Sequence, residues 1–134
     1  MSNSIFTKII NREIPAHIIY EDDYTIAFLD IHGTATGHTL VVPKKQIEYV
    51  WDLSNEDFNK FMNTTRMIAK KLRERLNVVR VGLKIIGEDV PHAHVHLIPF
   101  NDIKEYNNSP DSSVEPNHEE LAKIAQKLKI KESQ

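Results

Sequence analysis

The chain has 134 residues, 40% of them hydrophobic, so one hydrophobic core can form without disulfides or a structural metal. It contains no cysteine, which excludes a disulfide framework and a thiolate metal site. A net charge of −2 argues against duplex nucleic acid as a partner, whereas a single nucleotide needs only a few local donors in a pocket.

The N-terminal residues show no sign of export. Met1–Thr7 lacks the charged-then-apolar layout of a secretory signal, and no run of about 18 apolar residues occurs in the chain. We therefore expect a cytoplasmic protein that does not enter a membrane. Ser4–Asn11 predicts a short helix, because Ser4 can cap it and apolar residues recur at i, i+4 before Pro15.

Three strands are predicted after this helix. His17–Tyr20 and Tyr24–Asp30 are rich in Ile, Tyr and Phe and flank an acidic turn, which is typical of a hairpin. His38–Val42 follows a Gly/Thr loop and ends before Pro43, so a third strand is expected there.

A long amphipathic helix is predicted over Ser54–Leu76. Ser54 and Asp57 form a start that resembles a capping box, and apolar residues mark one face. The other face is rich in Lys and Arg. A nucleic-acid surface and a solvated face both explain this pattern, and the acidic residues elsewhere favour the solvated face.

Two further strands are predicted at Val78–Ile86 and His94–Pro99, joined by the tight connection Gly87–Pro91. Polar residues at 101–116 predict a loop, and Asn117 is expected to cap a C-terminal helix over residues 117–131.

These elements indicate an α+β fold in a single domain, residues 1–134. Its core comprises about residues 4–100, where an antiparallel sheet of about five strands packs against the long helix.

The most informative segment contains His92, His94 and His96, which alternate with apolar residues. Alternate side chains of a strand point to the same face, so the three imidazoles should lie together while the apolar residues pack on the other face. Three groups that titrate near neutrality can supply a nucleophile, a proton donor and a positive partner. That set suits phosphoryl chemistry.

A zinc site is the alternative interpretation of this cluster. Neutral imidazoles can bind zinc, and His38 or Asp89 would supply a fourth ligand. A chance arrangement explains three histidines at period two beside an apolar face less well.

The pattern at residues 92–96 resembles the motif of the histidine triad (HIT) nucleotide hydrolases and transferases, in their Hint-like branch. Further blocks resemble the family in the same order: Ile5–Ile10, Glu13–Ala16, Ile19–Asp23, Ala27–Ile31 and Gly37–Lys45. The resemblance implies a HIT-like fold, with a five-stranded antiparallel sheet, a long packed helix and short terminal helices. It also implies a homodimer whose sheets join, with Trp51 or the long helix at the interface.

The resemblance assigns a role to each of four histidines. His94 matches the nucleophile that attacks the α-phosphorus, His96 a residue that contacts the phosphate oxygens, and His92 one that orients the nucleophile. His38 matches a fourth histidine of the site. The implied reaction cleaves nucleoside 5′-phosphoramidates or dinucleoside polyphosphates through a nucleotidyl-histidine intermediate, with no metal or other cofactor.

A nucleoside pocket is implied in the same way, for a derivative of a purine nucleoside monophosphate. The residues that match positions around the base are Phe6, Ile9, Phe28 and Ile31. Asp30 matches the acid that accepts hydrogen bonds from the ribose hydroxyls, and Asp89 and Val90 are also expected to border the nucleotide. Membership of the hydrophobic core is the alternative role of the four apolar residues.

The segment before the triad departs from the family pattern. It is shorter than usual and lacks an Asn and a Gln, and Asp89 stands where Ser or Thr is common. An anion there repels phosphate unless it points away or pairs with a histidine. A nucleotide-binding module without turnover is therefore a second hypothesis, and a metalloenzyme is a third.

Two other regions differ from the family. Ser4 and Thr7 occupy the positions of a Cys-x-x-Cys pair that binds structural zinc in many bacterial relatives, so that metal is not expected. The tail after Asn101 does not resemble the tail that shapes leaving-group specificity in the best-known members.

Overall fold

The fold is known from a computed structural model, which describes residues 2–132. Five strands form one antiparallel sheet in the order β1-β2-β3-β5-β4. The strands are β1 Ile18–Glu21, β2 Thr25–Leu29, β3 Thr39–Pro43, β4 Arg80–Lys84 and β5 Val95–Phe100. The helices are α1 Ile5–Ile10, α2 Asn55–Leu76, α3 Ile103–Tyr106 and α4 His118–Leu128. The predicted α+β fold with a five-stranded antiparallel sheet is confirmed.

The two faces of the sheet are buried by different helices. On one face, strand residues such as Val41, Val95 and Leu97 form a core cluster with apolar residues of α2 and α4. On the other face, Phe28 and Leu40 pack with residues of α1 in a second cluster. Alternation along each strand produces this division, and each large apolar side chain buried contributes roughly 1.5–3 kcal/mol.

Helix α2 begins as its sequence predicts. The Ser54 hydroxyl caps it by accepting a hydrogen bond from the Asp57 amide at 3.1 Å. Its basic face, including Arg66, Lys70 and Arg73, is exposed, as expected of a solvated face. None of the helices within residues 2–132 has the length and apolar character that a membrane crossing requires.

The strand predicted at His94–Pro99 begins one residue later in the structure, so His94 as well as His92 lies outside it. β5 begins at Val95, so only His96 belongs to it. The Ala93 amide donates to the Ile47 carbonyl at 2.7 Å and the His92 amide to the Val90 carbonyl at 2.8 Å. Because of these bonds, residues 91–94 do not pair with a neighbouring strand of the sheet.

The connection between the last two strands is longer than predicted. β4 ends at Lys84, so residues 85–94 form an extended connection and not a tight turn at 87–91. The antiparallel pairing of the two strands is as expected.

The C-terminal region contains a helix that the sequence prediction missed. Residues 101–116 were predicted as loop, but α3 lies there, with Asp102 and Glu105 forming a capping box. α4 starts after Asn117 as predicted but ends at Leu128, because the Ile130 amide donates to the Ile19 carbonyl at 2.7 Å and draws the chain along β1.

Candidate active site

The three triad histidines lie side by side on the sheet face that packs against α1. Their side chains are buried, and the His94 and His96 ring centroids are 5.2 Å apart. The Phe6 ring of α1 meets His94 edge-on at 5.0 Å. The alternating apolar residues Ala93, Val95 and Leu97 belong to the opposite core cluster. The predicted division of the segment into an imidazole face and an apolar face therefore holds, although only part of it is strand.

His92 is held by hydrogen bonds at both ring nitrogens. Its Nε2 lies 2.7 Å from the Pro43 carbonyl oxygen, which can only accept, so Nε2 carries the proton. Its Nδ1 lies 2.7 Å from the Ser4 hydroxyl, which therefore donates to it. Burial lowers the pKa of His92, more than the Pro43 carbonyl raises it. A neutral ring with no free nitrogen can orient its neighbours but cannot attack a substrate.

His94 is oriented by the backbone of His92. Its Nδ1 is 2.7 Å from the His92 carbonyl oxygen, so Nδ1 donates the proton and Nε2 keeps its lone pair. Nε2 is buried, with no hydrogen-bond partner among the described residues. In the neutral ring this nitrogen is held in a fixed position and is a potential nucleophile.

His96 is oriented by a chain of donors that begins in the loop before β3. The Thr34 amide donates to His38 Nδ1 at 2.9 Å, so His38 Nε2 carries the proton. Nε2 in turn lies 3.0 Å from His96 Nδ1 and donates to it. The remaining proton of His96 is therefore on Nε2, which is buried and lacks a hydrogen-bond partner in the described part of the chain.

Burial keeps this histidine pair neutral. It lowers the pKa of His38 to about 4, although the nearby Asp30 carboxylate opposes the shift. It also lowers the pKa of His96, and the neighbouring His94 adds to the effect. The 3.7 Å contact between His38 Nε2 and Asp30 Oδ2 is accordingly a contact of a neutral ring and not an ion pair.

The two open nitrogens are complementary to a phosphoryl group. His94 Nε2 offers a lone pair to phosphorus, and His96 Nε2–H offers a hydrogen bond to a phosphoryl oxygen. A buried polar atom without a hydrogen bond costs about 1–3 kcal/mol, and here His96 Nε2 has no partner while His94 Nε2 has only the exposed Asp89 carboxylate nearby, so the two adjacent rings indicate a ligand site.

Asp89 does not point away from the triad. Its Oδ1 is 3.3 Å from His94 Nε2, and its side chain is 67% exposed. A carboxylate oxygen and an unprotonated nitrogen repel each other unless a proton lies between them. Val90 is half-buried and packs against the apolar cluster that contains Phe28 and Leu40, so it borders the site.

The predicted nucleoside residues fall into two groups. Phe6, Ile9 and Phe28 are buried together in the α1 core cluster, whereas Ile31 is 44% exposed and lies apart from them. Asp30 lines an open depression of about 410 Å³ with Ile31 and His38, and α4 forms its far wall. Asp30 Oδ1 accepts from the His32 amide at 2.8 Å.

The zinc alternative predicted for the three triad imidazoles does not match their arrangement, because both nitrogens of His92 are engaged. The group with metal-binding geometry is instead Asp30, His38 and His96, whose ligand atoms all lie within 4.8 Å of one another. In that group the hydrogen bond from His38 occupies the nitrogen of His96 that faces it.

The N-terminal positions where relatives carry zinc-binding cysteines hold a hydrogen-bonded cluster. Thr7 Oγ1 donates to Gln46 Oε1 at 2.6 Å, and the Ser4 amide donates to the same oxygen at 2.9 Å. Ser4 Oγ is in turn the donor to His92. Hydroxyl and amide groups bonded to one another do not fit a structural zinc ion, which prefers thiolate and imidazole ligands.

Sequence reasoning missed four residues that shape the site. Gln46 and Thr34 act through hydrogen bonds to loop and helix neighbours, and no local pattern marks them. Ser4 is predicted as a helix cap and as the replacement of a zinc-binding cysteine, but its hydrogen bond to His92 is not predicted. Lys84 falls within the predicted strand Val78–Ile86 with no role assigned to it, yet it lies opposite His96 in the sheet register.

Comparisons with known proteins identify the family of the chain. The HIT domain family model matches residues 11–103. An adenosine 5′-monophosphoramidase of Saccharomyces cerevisiae is 40% identical over 101 residues, which cover 75% of this chain and 64% of the relative. A purine nucleoside phosphoramidase of Escherichia coli is 36% identical over 102 residues, covering 71% of this chain and 85% of the relative.

A solved structure shows the same fold. A Hit-like protein of Bartonella henselae, described as involved in cell-cycle regulation, superposes with a TM-score of 0.80 at 32% identity, covering 94% of each chain. The family match spans well over half of the 134 residues and includes all four site histidines. The chain therefore belongs to the HIT domain family.

Proposed function

We propose that the protein cleaves nucleoside 5′-phosphoramidates or dinucleoside polyphosphates at the α-phosphorus, through a nucleotidyl group carried on His94. The observation that carries this proposal is the pair of open nitrogens, the lone pair of His94 Nε2 beside the N–H of His96 Nε2. The two phosphoramidases among its relatives support the substrate class and favour a purine base.

The first step forms a bond between His94 Nε2 and the α-phosphorus, while the leaving group departs with the electron pair of its bond to phosphorus. The His92 carbonyl holds Nδ1–H and stabilises the positive charge that develops on the ring. His96 Nε2–H, backed by His38, donates to a phosphoryl oxygen as negative charge grows there. In the second step water attacks phosphorus and releases His94.

Asp89 has to move aside before His94 attacks, because its Oδ1 lies 3.3 Å from His94 Nε2, where the α-phosphorus must approach. In an in-line displacement the leaving group departs on the side of phosphorus opposite the attacking nitrogen. A leaving amine therefore takes its proton from solvent water on that side, and the water that attacks in the second step gives its proton back to the solvent there. The exposed side chain of Asp89 leaves it free to turn away from the nucleotide.

The nucleoside lies on the Asp30 side of the histidines in this proposal. Asp30 Oδ2 accepts from the ribose hydroxyls, because the His32 amide already occupies Oδ1. Ile31 contacts the base from its exposed position beside Asp30 in the open depression, whereas Phe6 and Phe28 act as buried core residues behind the triad.

Hydrolysis of adenosine 5′-phosphoramidate tests the proposal. His94→Ala removes the nucleophile and should lower kcat by about 10³-fold or more, whereas the matched control His118→Ala, on the exposed N-terminus of α4, should keep activity. Wild-type protein quenched at alkaline pH should show a nucleotidyl adduct by mass spectrometry. Nucleotide binding without turnover would favour the non-catalytic module, and activity lost in chelator would favour a metalloenzyme.

We also propose that the chain forms a homodimer. β4 is an edge strand with an unpaired side, and Trp51 is 71% exposed, which leaves both available for a second copy. Sedimentation equilibrium should give twice the chain mass, and Trp51→Ala should weaken association. A monomer at all concentrations tested contradicts this.

A further inference from the structure

One row of side chains crosses four strands on the face that carries the triad. Phe28 lies opposite Leu40, Leu40 opposite His96, and His96 opposite Lys84. Residues directly opposite in antiparallel strands share a face, with Cβ atoms about 4.5–5.5 Å apart. Lys84 is therefore the immediate neighbour of His96, on the side away from the nucleoside residues.

The ammonium group of Lys84 rests on an aromatic support. Its Nζ lies 4.6 Å from the centre of the Tyr106 ring, and the Tyr106 hydroxyl donates to the Leu83 carbonyl at 3.2 Å. Gly82 leaves room for the Tyr106 ring in this position, since a Cβ atom there would come within 2.2 Å of the ring. Helix α3 thus supplies the ring on which Lys84 rests.

The positive charge of Lys84 is not neutralised by an ion pair with any described carboxylate. Its side chain is half-buried, and its charge contributes to the lowered pKa of both His38 and His96. A half-buried ammonium group beside two neutral imidazoles lacks an anion in the protein, and an anionic ligand would complete it.

The position of Lys84 in the row Phe28–Leu40–His96–Lys84 indicates which anionic ligand its ammonium group would bind. Asp30 directly follows β2, at one side of the histidines, and Lys84 lies on β4 at the other. In a substrate with its ribose at Asp30 and its α-phosphorus at His94, the leaving group is the part beyond phosphorus that can extend to Lys84. We propose that Lys84 binds a phosphate of the leaving group, so that the site prefers substrates whose leaving group is itself a phosphate or nucleotide. This inference rests on the proposed function and specifies its substrate class.

The test compares two substrates that differ in leaving group. Diadenosine triphosphate releases ADP and adenosine 5′-phosphoramidate releases ammonia, while both present the same adenylyl group. Lys84→Gln should lower kcat/KM for the first by about 10- to 100-fold and change the second by less than about threefold. Lys84→Arg keeps the charge and should restore most of the loss, and Lys70→Gln on the exposed face of α2 is the matched control. Equal losses on both substrates, or no loss, would overturn the proposal.

A binding measurement separates this proposal from the catalytic one. In the His94→Ala background, Lys84→Gln should weaken the affinity for ADP by about tenfold or more and leave the affinity for AMP unchanged. If wild-type protein turns over neither substrate but this difference is found, the proposed reaction fails while the Lys84 subsite stands. If ADP and AMP bind equally well to both proteins, the subsite does not exist.

Discussion

Hydrogen bonds to groups of fixed polarity determine the tautomer of every histidine in the site. The carbonyl oxygens of Pro43 and His92 can only accept, and the Thr34 amide can only donate. From these three groups it follows that a neutral His94 ring has its lone pair on Nε2, whereas the neutral His96 ring has its proton there. The chemical difference between two neighbouring imidazoles is thus set by the backbone, and no charged residue is needed to produce it.

Ser4 links this arrangement to α1, which makes it a test of the site at the level of one hydroxyl group. Ser4→Ala leaves His92 Nδ1 with only the longer contact to the Thr7 hydroxyl at 3.4 Å, at a cost of about 1–3 kcal/mol, and removes the helix cap, at about 1 kcal/mol. We expect urea unfolding to show a loss of about 2–4 kcal/mol.

Ser4→Thr is the control, because it keeps the hydroxyl group and should lose less than about 1 kcal/mol. The imidazole ¹⁵N shifts of His92 give an independent readout, since loss of the donor should perturb Nδ1 and not Nε2. An Ala variant as stable as wild type would show that the Ser4–His92 contact contributes nothing.

For the helices and strands, the periodicity of the sequence predicted those features that depend only on residues close in sequence. The alternation at residues 92–97 correctly predicted that the imidazoles share a face, since that requires only an extended chain. Where the strand begins was predicted wrongly, because it depends on the bond from the Ala93 amide to Ile47, a residue of a distant loop.

Helix α3 shows a second limit of local patterns. Its capping box is present in the sequence, but four residues are too few to give a helical period, so the polar composition of the region indicated a loop. Its role is visible only through contacts with β4, where Tyr106 packs over Gly82. A role for Lys84 could not be predicted from local patterns either, because its position beside His96 depends on the register of two strands.

The two faces of the sheet have different roles in the molecule. The face that packs against α2 and α4 holds the larger core cluster and no histidine of the site. The face that packs against α1 holds the triad within a smaller apolar cluster. The buried imidazoles therefore belong both to the packing of this face and to the proposed reaction, and the folded state must keep them buried.

Burial of neutral histidines makes the stability of the protein depend on pH. The pKa values of His38, His92 and His96 are lowered on folding, so below the usual value of about 6.5 the unfolded chain binds more protons than the folded one. Stability is then complete above about pH 6.5 and falls as the pH decreases towards the folded-state values. With a pKa of about 4, His38 alone should account for about 2 kcal/mol between pH 7 and pH 5.

Urea unfolding at pH 7 and at pH 5 measures this loss. Replacement of His38 by Asn lowers stability at pH 7 because it breaks the bond to His96, but it should reduce the difference between the two pH values by about 2 kcal/mol. NMR titration of the wild type should show midpoints below 6.5 for the imidazoles of His38, His92 and His96, and also for His17, whose pKa is lowered by burial and by the neighbouring His118. Equal stability at both pH values would mean that these rings are solvated or charged in the folded protein, and the tautomers assigned to the site would then be wrong.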